Sequence, residues 1–484
     1  CTPGEYGLYC LEIVLKDNLN VERGIFYSDF SKCVENTTLN KHVGVSTHMN
    51  RDGNAKECID ITQKGGLGLV RESVYWRDYE KSPGVYKLGD GEKDVFERLA
   101  NTDLENVMIL YANNPIYDTQ AEADSFPSEN TVKHFKDYVT AVLNEPLIKN
   151  NPNTHMVEVW NEPDIMKYWN TADISASDEQ KAKAYANVLK AAYDAAKEAG
   201  DYKVGAFCVC NLWGAPGTTF TDYVLNELGG KQCFDNLTLH PYSGVASDVE
   251  IGSNGADRTD PRCSQAYLIN RIKTLITGGK LYNYVTGTSS ISKGEATGNT
   301  YSYSLNDSVW HTEYGISSAI PYGGMSTGSD YLQAQIIIRG LNNIRKNNIN
   351  DKIWIYDLVC DGTQPNEEQH NYGIVNAAES NTPYSAKYAY LAVANYNRLT
   401  QNASAIKQIK GDKASDGYRF LTKYTVDGGN VYLLYTTKQS ARLYYNLGDN
   451  VTYYDLFGNK LSQDDVMQNG EYILTNTPFY AVQN

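Results

Sequence analysis

An alternation that repeats eight times from residue 41 onward most constrains the fold of this chain. Short apolar runs of strand length, rich in β-branched and aromatic residues, end in polar residues and precede longer stretches of helical period. The stretch from Asp178 to Gly200, for example, is too long and too rich in alanine and lysine for a strand. The eight strand-like runs begin at His42, Gly68, Val107, Met156, Lys203, Asn236, Ser308 and Lys352. This order predicts the α/β class and a closed (β/α)8, or TIM, barrel over residues 41–401.

The chain on either side of the predicted barrel differs in composition. Residues 402–484 contain strand-like runs punctuated by glycine, asparagine and aspartate turns, which predicts a small appended all-β domain of sandwich type. Residues 1–40 contain the strand-like run YGLYCLEIVL, which we expect to pair with the C-terminal strands because the two ends of the barrel lie close together. Within the barrel, the connection from Gly279 to Asn306 is longer than most, and such connections are usually functional or mobile.

The composition argues against several classes of partner. With 43 Lys and Arg against 58 Asp and Glu, the formal charge of −15 would repel nucleic acid and anionic membranes. No run of 18 apolar residues is present, so the sequence predicts no membrane-spanning helix. The 39 tyrosines offer flat amphipathic faces of the kind that suit sugar rings. Because the chain starts at Cys1 without an initiator methionine or an apolar signal segment, we expect a mature or trimmed product. We also expect a secreted or extracellular protein of bacterial origin, and its oligomeric state stays open.

The sequence contains no motif for metal or redox chemistry. Its nine cysteines form no CxxC pair, and its seven histidines show neither HExxH nor another metal-binding spacing. We therefore expect no metal and no cofactor. The odd number of cysteines leaves at least one thiol unpaired.

The last residues of the predicted strands are the candidates for chemistry, because the loops that follow them form the open concave face of a barrel. Glu162 ends the fourth strand and Glu313 the seventh. Arg71 lies on the second strand, and His240 and Tyr242 end the sixth. The sequence thus predicts that these side chains converge at one mouth. Two opposed glutamates can supply the proton and the carboxylate that hydrolysis of a glycosidic bond requires.

The motifs at these strand ends resemble those of the clan A glycoside hydrolases. The resemblance rests on WNEP from Trp160, on HPY from His240, on the arginine of the second strand and on the glutamate of the seventh, and it spans about residues 41–400. The run YDLVCDGTQPNEEQHNYGIVN from Tyr356, followed by a helix and a small β domain, is most similar to family 39 and its relatives. Families 5 and 30 are close competitors.

This resemblance implies a retaining mechanism with Glu162 as acid/base and Glu313 as nucleophile. It also implies that Asn161 holds the 2-hydroxyl of the sugar and that Arg71 and Tyr242 contact the nucleophile. The implied function is a retaining β-glycosidase that hydrolyses β-linked poly- or oligosaccharides without a cofactor. Because the clan contains chain-end and mid-chain cleavers of many sugars, the substrate, the linkage, and endo or exo action stay open.

Other residues near the predicted mouth are candidates for substrate binding. They are Trp160 in the WNEP motif, His48 at the end of the first strand, His240 on the sixth, and Asp357, Asp361 and His370 near the eighth. Glu158 shares a strand face with Glu162 but lies four residues earlier, about 13 Å deeper. We expect Glu158 to be a buried partner of a cation rather than a catalyst.

The same residues admit two other functions. A barrel that has lost catalysis would only bind carbohydrate, although a pure binder has no need of the proton donor Glu162. A transglycosylase would use every one of these residues and differ only in whether a sugar or water opens the intermediate. Structural roles are open as well. Arg71 could be an ion-paired core residue. The role assigned to Glu313 rests on its position at the end of the seventh predicted strand, because its local motif is weaker.

Overall fold

Strands and helices alternate through most of the chain, and its C-terminal part consists mainly of strands. The computed structural model describes the chain except for residues 1–2, 17–19, 21, 51–53, 112, 118–125, 166–168, 170–175, 211–215, 243–249, 251–264, 280, 287–290, 298–300, 322, 412–415 and 417. The strands are β1 (Gly7–Lys16), β2 (Glu22–Lys32), β3 (Asn40–Ser46), β4 (Leu67–Ser73), β5 (Glu80–Ser82), β6 (Val85–Tyr86), β7 (Glu105–Leu110), β8 (Met156–Val159), β9 (Lys203–Val209), β10 (Asn236–Leu239), β11 (Leu281–Thr286), β12 (Ile291–Thr297), β13 (Trp310–Tyr314), β14 (Lys352–Ile355), β15 (Ala405–Lys410), β16 (Arg419–Val426), β17 (Gly429–Thr436), β18 (Ala441–Leu443), β19 (Val451–Tyr454), β20 (Lys460–Leu461), β21 (Met467–Gln468), β22 (Glu471–Leu474) and β23 (Phe479–Gln483). The helices are α1 (Ala55–Lys64), α2 (Trp76–Tyr79), α3 (Asp90–Leu99), α4 (Glu129–Asn144), α5 (Pro146–Lys149), α6 (Asp178–Ala199), α7 (Pro216–Leu228), α8 (Gln265–Thr277), α9 (Asp330–Arg345), α10 (Tyr388–Thr400) and α11 (Gln463–Val466), with a 3₁₀ turn at Gln369–Asn371.

Eight of these strands close into a parallel barrel. β3, β4, β7, β8, β9, β10, β13 and β14 pair in chain order, and β14 pairs with β3 to complete the ring. Helices lie in the crossovers, because parallel neighbours need long connections between them. Each barrel strand overlaps its predicted run. The predicted α/β barrel with an appended β domain is therefore confirmed.

Large apolar side chains fill the interior of the barrel near the amino-terminal ends of its strands. They are Leu69, Val107, Met156, Trp310 and Trp354, which are at most 3% exposed. All five lie within the first three residues of their strands. Because this end is packed with apolar side chains, the open space lies at the carboxyl ends of the strands, where the site described below is found.

The N-terminal segment forms a hairpin of its own. β1 and β2 pair antiparallel, with Gly7 opposite Lys32. In the described residues neither strand joins a C-terminal sheet, so the predicted strand pairing is wrong. The contact with the C-terminal domain is made instead by the Asn459 side chain, which accepts a hydrogen bond from Tyr6 N at 2.6 Å and donates one to Tyr6 O at 3.0 Å. Two strands close in sequence pair at a lower cost in loop-closure entropy than distant ones.

The C-terminal domain consists of two antiparallel sheets that share an apolar core. Six strands pair in the order β15-β16-β17-β23-β19-β20, and three in the order β18-β22-β21. The shared core includes Leu421, Leu434, Leu443, Leu474 and Phe479. The larger sheet also contacts the helix layer of the barrel, where the Tyr424 hydroxyl donates to Asn342 Oδ1 of α9 at 2.8 Å.

The long connection before the seventh barrel strand contains a second hairpin. β11 and β12 pair antiparallel between α8 and β13.

None of the helices in the described ranges is long and apolar enough to cross a membrane. The free thiols of the described residues include Cys33, Cys208, Cys210, Cys233 and Cys360.

The substitution Gly340→Ala tests how tightly the helix layer packs on the barrel. Gly340 lies on α9, and a Cβ atom there would meet the hydroxyl oxygen of Tyr314 in β13 at 1.7 Å. In an open helix position alanine is more favourable than glycine by about 1 kcal/mol. Here we expect Gly340→Ala to lower the free energy of unfolding by about 1–3 kcal/mol, because the buried tyrosine ring has to move. Urea unfolding measures this change.

Gly200→Ala is the matched control for this substitution. Its Cβ atom would make ordinary contact with the Tyr202 ring at 3.6 Å, and its φ of 164° is extended backbone. We expect the free energy of unfolding to change by less than about 1 kcal/mol. A Gly340→Ala variant as stable as the Gly200→Ala variant would contradict the tight contact between α9 and β13.

Candidate active site

The carboxyl ends of the barrel strands surround a cavity of about 890 Å³. Six predicted site residues line it: His48, Arg71, Asn161, Glu162, Tyr242 and Glu313. His240, also predicted, is fully buried and contacts this wall through Glu162. The structure therefore brings the predicted carboxylates, guanidinium, imidazole and phenol to one place.

Arg71 is the centre of the hydrogen-bond network. Its Nε donates to Glu158 Oε2 at 2.9 Å, and its Nη1 donates to Glu313 Oε1 at 2.7 Å. Its Nη2 donates to Asn161 Oδ1 at 2.9 Å. Glu158 also accepts a hydrogen bond from the Thr312 hydroxyl at 2.5 Å. Glu158 is thus a buried partner of a cation, as expected, and Arg71 holds both a structural and a cavity-lining carboxylate.

Glu313 is surrounded by groups that favour its ionised form. One carboxylate oxygen accepts from Arg71, and the other accepts from the Tyr242 hydroxyl at 2.8 Å. The same oxygen lies 3.5 Å from His240 Nδ1. Burial alone would raise the pKa of Glu313, but His240, Arg71 and Tyr242 together hold it below its ordinary value. Glu313 is therefore a carboxylate at neutral pH.

Glu162 has a sparser set of partners than Glu313. Its Oε1 lies 2.8 Å from His240 Nδ1, and in the described part of the chain this is the only hydrogen bond of its carboxyl group. The residue is 6% exposed. Carboxylate oxygens of Glu162 and Glu313 lie within 4.8 Å of each other, with His240 between them. The two carboxyl groups thus face the same small volume in unequal environments.

His240 joins this pair to a residue that the sequence did not single out. Its Nε2 lies 3.1 Å from the Sγ atom of Cys208, which is also fully buried. Burial lowers the pKa of the His240 imidazole, but Cys208 on one side and Glu313 and Glu162 on the other raise it well above its ordinary value. No motif marked Cys208, because it lies inside an ordinary-looking predicted strand.

The backbone leaves the regular strand at the WNEP motif. β8 ends just before Trp160, and Trp160 and Glu162 have φ values of +70° and +41°. Residues with a Cβ atom adopt this left-handed region only where the surroundings hold them there. Trp160 stacks on Trp169 with 4.7 Å between ring centroids and is 1% exposed, so it shapes the turn without lining the cavity. The turn presents Asn161 and Glu162 to the cavity.

The remaining predicted candidates lie near the eighth strand. His48 lines the cavity, and its Nδ1 lies 3.0 Å from Asp357 Oδ2. Asp361 has a carboxylate oxygen within 4.8 Å of both of these groups. His370 lies on the loop after β14, where its Nδ1 accepts from the Gln364 amide at 3.4 Å, and it does not line the cavity.

Several residues of the cavity wall were not predicted. Tyr75, Tyr111, Tyr356 and Tyr372 line the cavity, and so does Glu368. Residue type could not single them out in a chain with 39 tyrosines. Two of them could have been predicted from their position at strand ends, because Tyr111 and Tyr356 directly follow β7 and β14.

Three clusters of described residues place possible metal ligands within 4.8 Å of one another. They are Glu158–Cys208–His240, Glu162–His240–Glu313 and His48–Asp357–Asp361. Arg71 already forms ion pairs with Glu158 and Glu313, so we assign no metal to the first two clusters. The third contains the hydrogen bond between His48 and Asp357, which accounts for its arrangement without an ion.

Comparison with known proteins establishes the fold of this chain. No protein-family model and no curated protein matches its sequence. Its structure is similar to that of a family 39 glycoside hydrolase from the gut symbiont Bacteroides cellulosilyticus WH2, with a TM-score of 0.74 and 19% sequence identity. The likeness covers 99% of this chain and 88% of that chain.

Two other solved structures have the same architecture at lower similarity. A conserved exported protein from Bacteroides fragilis has a TM-score of 0.57 and 13% identity, over 93% of this chain and 98% of that chain. A family 30 subfamily 8 xylanase from Clostridium acetobutylicum has a TM-score of 0.53 and 9% identity, over 93% of this chain and 97% of that chain. The predicted resemblance to clan A glycoside hydrolases is therefore confirmed at the level of the fold.

Replacing Arg71 by methionine tests the charge network. The substitution leaves Glu158 and Glu313 buried without their cation, so we expect the free energy of unfolding to fall by about 3–5 kcal/mol near pH 8. In the unmodified protein the lowered pKa of Glu313 contributes stability above the unfolded pKa, and this contribution is lost as pH falls through the folded pKa. In the variant Arg71 no longer lowers that pKa, so folding stabilises the Glu313 carboxylate less and the variant loses stability relative to the unmodified protein as pH rises.

Urea unfolding at pH 5 and pH 8 measures this dependence. The difference in stability between the unmodified protein and Arg71→Met should be larger at pH 8. Arg77→Met is the matched control, because the Arg77 side chain is 65% exposed, and we expect a change of less than about 0.5 kcal/mol at either pH. A loss in Arg71→Met that does not depend on pH would contradict the role of Arg71 as the counter-ion.

Proposed function

We propose that this protein is a retaining β-glycosidase that hydrolyses β-linked oligo- or polysaccharides by double displacement. The observation that carries the proposal is the pair Glu162 and Glu313, whose carboxylate oxygens lie within 4.8 Å of each other at the mouth of the barrel. Retaining enzymes hold their two carboxyl groups about 5–5.5 Å apart, whereas inverting enzymes need about 6.5–9.5 Å to admit a water. The short separation favours retention.

The unequal environments of the two carboxyl groups support separate roles. Glu313, ionised by its contacts with Arg71 and Tyr242, is suited to attack the anomeric carbon. Glu162 has His240 as its single described partner, and no arginine or lysine among the described residues pairs with its carboxyl group. It can therefore hold a proton for the glycosidic oxygen. For one carboxyl group to act as the acid and the other as the nucleophile at the same pH, one must be protonated and the other ionised, and unequal environments allow this.

The reaction would proceed in two displacements. In the first, Glu313 bonds to the anomeric carbon while Glu162 protonates the departing oxygen, giving a glycosyl-enzyme. In the second, the Glu162 carboxylate takes a proton from water, which opens the intermediate from the opposite side of that carbon. Asn161 accepts a hydrogen bond from Arg71 through Oδ1, so its amide NH2 group is directed by that contact and can donate to the 2-hydroxyl of the sugar.

The character of the cavity supports a carbohydrate as substrate. Tyrosine rings on its wall combine a flat apolar face with a polar rim, which suits the faces and hydroxyl groups of sugars. Two of the similar structures carry the names of glycoside hydrolases, and one of these is a xylanase. We further propose that the protein acts outside the cell; the support is the likeness in fold to a protein named as exported.

Two alternatives use the same site. An inactive carbohydrate-binding barrel would not need Glu162 and Glu313 in unequal surroundings, so their partners favour catalysis. A transglycosylase would share the first displacement and differ in the acceptor. Product analysis in the presence of added oligosaccharide distinguishes it from a hydrolase, since only a transglycosylase gives longer chains as its main product.

Azide rescue tests the assignment of the nucleophile. In Glu313→Ala the vacated space admits a small anion on the face that the nucleophile attacked. We expect hydrolysis of aryl β-glycosides to be abolished, and added azide to restore turnover with the inverted, α-configured glycosyl azide as product. Proton NMR of the anomeric region identifies that product.

Glu162→Ala is the matched control, because it removes the other carboxyl group of the pair. We expect the rate to fall by about 10²–10⁴-fold for poor leaving groups and far less for activated aryl glycosides. Azide should then yield the retained, β-configured adduct. An inverted sugar as first product of the unmodified enzyme would falsify the retaining mechanism.

The pH dependence of kcat/KM tests the ionisation of Glu313. Activity requires its carboxylate, whose pKa is held below the ordinary value of 4.5, so the acid limb of the profile should lie below pH 4.5. Tyr242→Phe removes a hydrogen bond that lowers this pKa, and the acid limb should move to higher pH. Tyr444→Phe is the control, because Tyr444 is 77% exposed in the C-terminal domain. An acid limb that stays in place in Tyr242→Phe would contradict the assignment.

A further inference from the structure

Strand β9 contains a bulge at Cys208. Phe207 is paired with Thr238 of β10, and Val209 is paired with Leu239, so Cys208 is an extra residue without a partner in the ladder. The φ values of Phe207 and Cys208 are +86° and +46°. Residues with a Cβ atom rarely adopt such values, and bulges beside active sites commonly redirect a side chain.

Two buried hydroxyl groups hold this bulge in place. The amide of Phe207 donates to the Tyr185 hydroxyl oxygen at 2.8 Å, and the amide of Cys208 donates to Thr238 Oγ1 at 3.1 Å. The Tyr185 hydroxyl in turn donates to Val159 O, at the end of β8, at 3.1 Å. The left-handed backbone at Cys208 is therefore fixed by contacts from α6 and β10.

The bulge directs the thiol of Cys208 at the imidazole of His240. The distance from Sγ to Nε2 is 3.1 Å, and the opposite ring nitrogen, Nδ1, lies 2.8 Å from Glu162 Oε1. Both Cys208 and His240 are fully buried. The imidazole thus lies between the thiol and the carboxyl group, and Cys208 acts on the cavity only through His240.

A thiol is a suitable partner for an imidazole that changes its protonation state, because it can donate or accept a hydrogen bond. Burial and the nearby Glu158 raise the pKa of Cys208 to about 11, so it is a protonated thiol at neutral pH. Beside a neutral imidazole the S–H group donates to Nε2, and Nδ1 keeps its hydrogen. Beside an imidazolium the Nε2–H group donates to Sγ. In both states Nδ1–H donates to Glu162 Oε1.

We propose that Cys208 is a positioning residue for Glu162, because its contact with Nε2 keeps the Nδ1–H group of His240 directed at Glu162 Oε1. This inference rests on the proposed function. With Oε1 accepting from His240, the proton for the leaving group is held on the other oxygen. Without the thiol, neutral His240 can adopt the tautomer in which Nδ1 is the acceptor, and Glu162 then donates its proton to the imidazole rather than to the glycosidic oxygen.

Several charged and titratable groups of the described residues surround this pair. They include Glu158 and Glu162 from the fourth strand unit, Arg71 from the second, Glu313 from the seventh, Tyr242 from the sixth, Tyr185 from α6 and Cys210, which follows β9. Arg71 holds Glu158 and Glu313 at hydrogen-bond distance. Among the described residues, Cys208 is the hydrogen-bond partner of His240 Nε2, so removal of the thiol changes that nitrogen directly.

Three variants test the proposal: Cys208→Ala, Cys208→Ser and the control Cys233→Ala. For Cys208→Ala we expect kcat to fall about 10- to 100-fold on a β-glycoside with a poor leaving group, within the range of general acid catalysis, and less than about threefold on a dinitrophenyl β-glycoside. Because a hydroxyl also donates and accepts, Cys208→Ser should restore most of the activity. Cys233 is an equally buried thiol in the helix-layer core, and its alanine variant should keep the activity of the unmodified protein.

Nitrogen NMR of histidine-labelled protein gives a readout that does not depend on turnover. In the unmodified protein and in Cys208→Ser the His240 signals should report a protonated Nδ1. In Cys208→Ala the neutral imidazole of His240 should shift towards the tautomer that is protonated at Nε2. His240→Gln identifies the signals by their loss. Thermal unfolding of all variants checks that each is folded.

The outcomes separate this inference from the function on which it rests. Equal losses on both substrates in Cys208→Ala, or an unchanged tautomer of His240, would overturn the positioning role while the glycosidase stands. A loss in Cys233→Ala as large as that in Cys208→Ala would overturn it too, because packing alone would then explain both. An unmodified protein that hydrolyses no aryl β-glycoside would overturn the glycosidase and the positioning role together.

Discussion

The ion pair network of Arg71 is the constraint on which the rest of the site depends. One guanidinium, 7% exposed, is shared between the buried carboxylates of Glu158 and Glu313. Removing a charge from water costs several kcal/mol, so two carboxylates beside one cation leave an excess of negative charge that needs a second positive group. His240, whose pKa is raised by these surroundings, can supply it in its protonated form.

The sequence predicted the barrel because its strands differ from its helices in length and in composition, and these are local properties. The ends of the strands were less predictable. The fourth strand was expected to run to Glu162 and the sixth to Tyr242, whereas they end at Val159 and Leu239. The residues that carry the chemistry lie just beyond the ladder, where tertiary contacts rather than β propensity determine the backbone.

Features that depend on contacts between distant segments could not be predicted. The thiol of Cys208 reaches His240 only because a bulge turns it, and that bulge is held by hydroxyl groups of Tyr185 and Thr238 from other elements. The N-terminal hairpin is a second example, since an apolar strand pattern specifies a face to bury but not the strand with which it pairs. By contrast, Arg71 and the two glutamates were predictable from position, because a barrel places every strand end at one mouth.

The C-terminal domain contacts the helix layer of the barrel at Arg339. Arg339 of α9 donates to the Glu250 carboxylate at 2.6 and 2.8 Å, and its guanidinium carbon lies 5.7 Å from the ring centroid of Tyr435 in β17. Glu250 belongs to the connection after β10, which begins with His240 and Tyr242. The pair is 3% exposed on both sides, so breaking it would leave a buried charge. This contact links Tyr435 of the β domain and Glu250 through α9, the helix after the Glu313 strand.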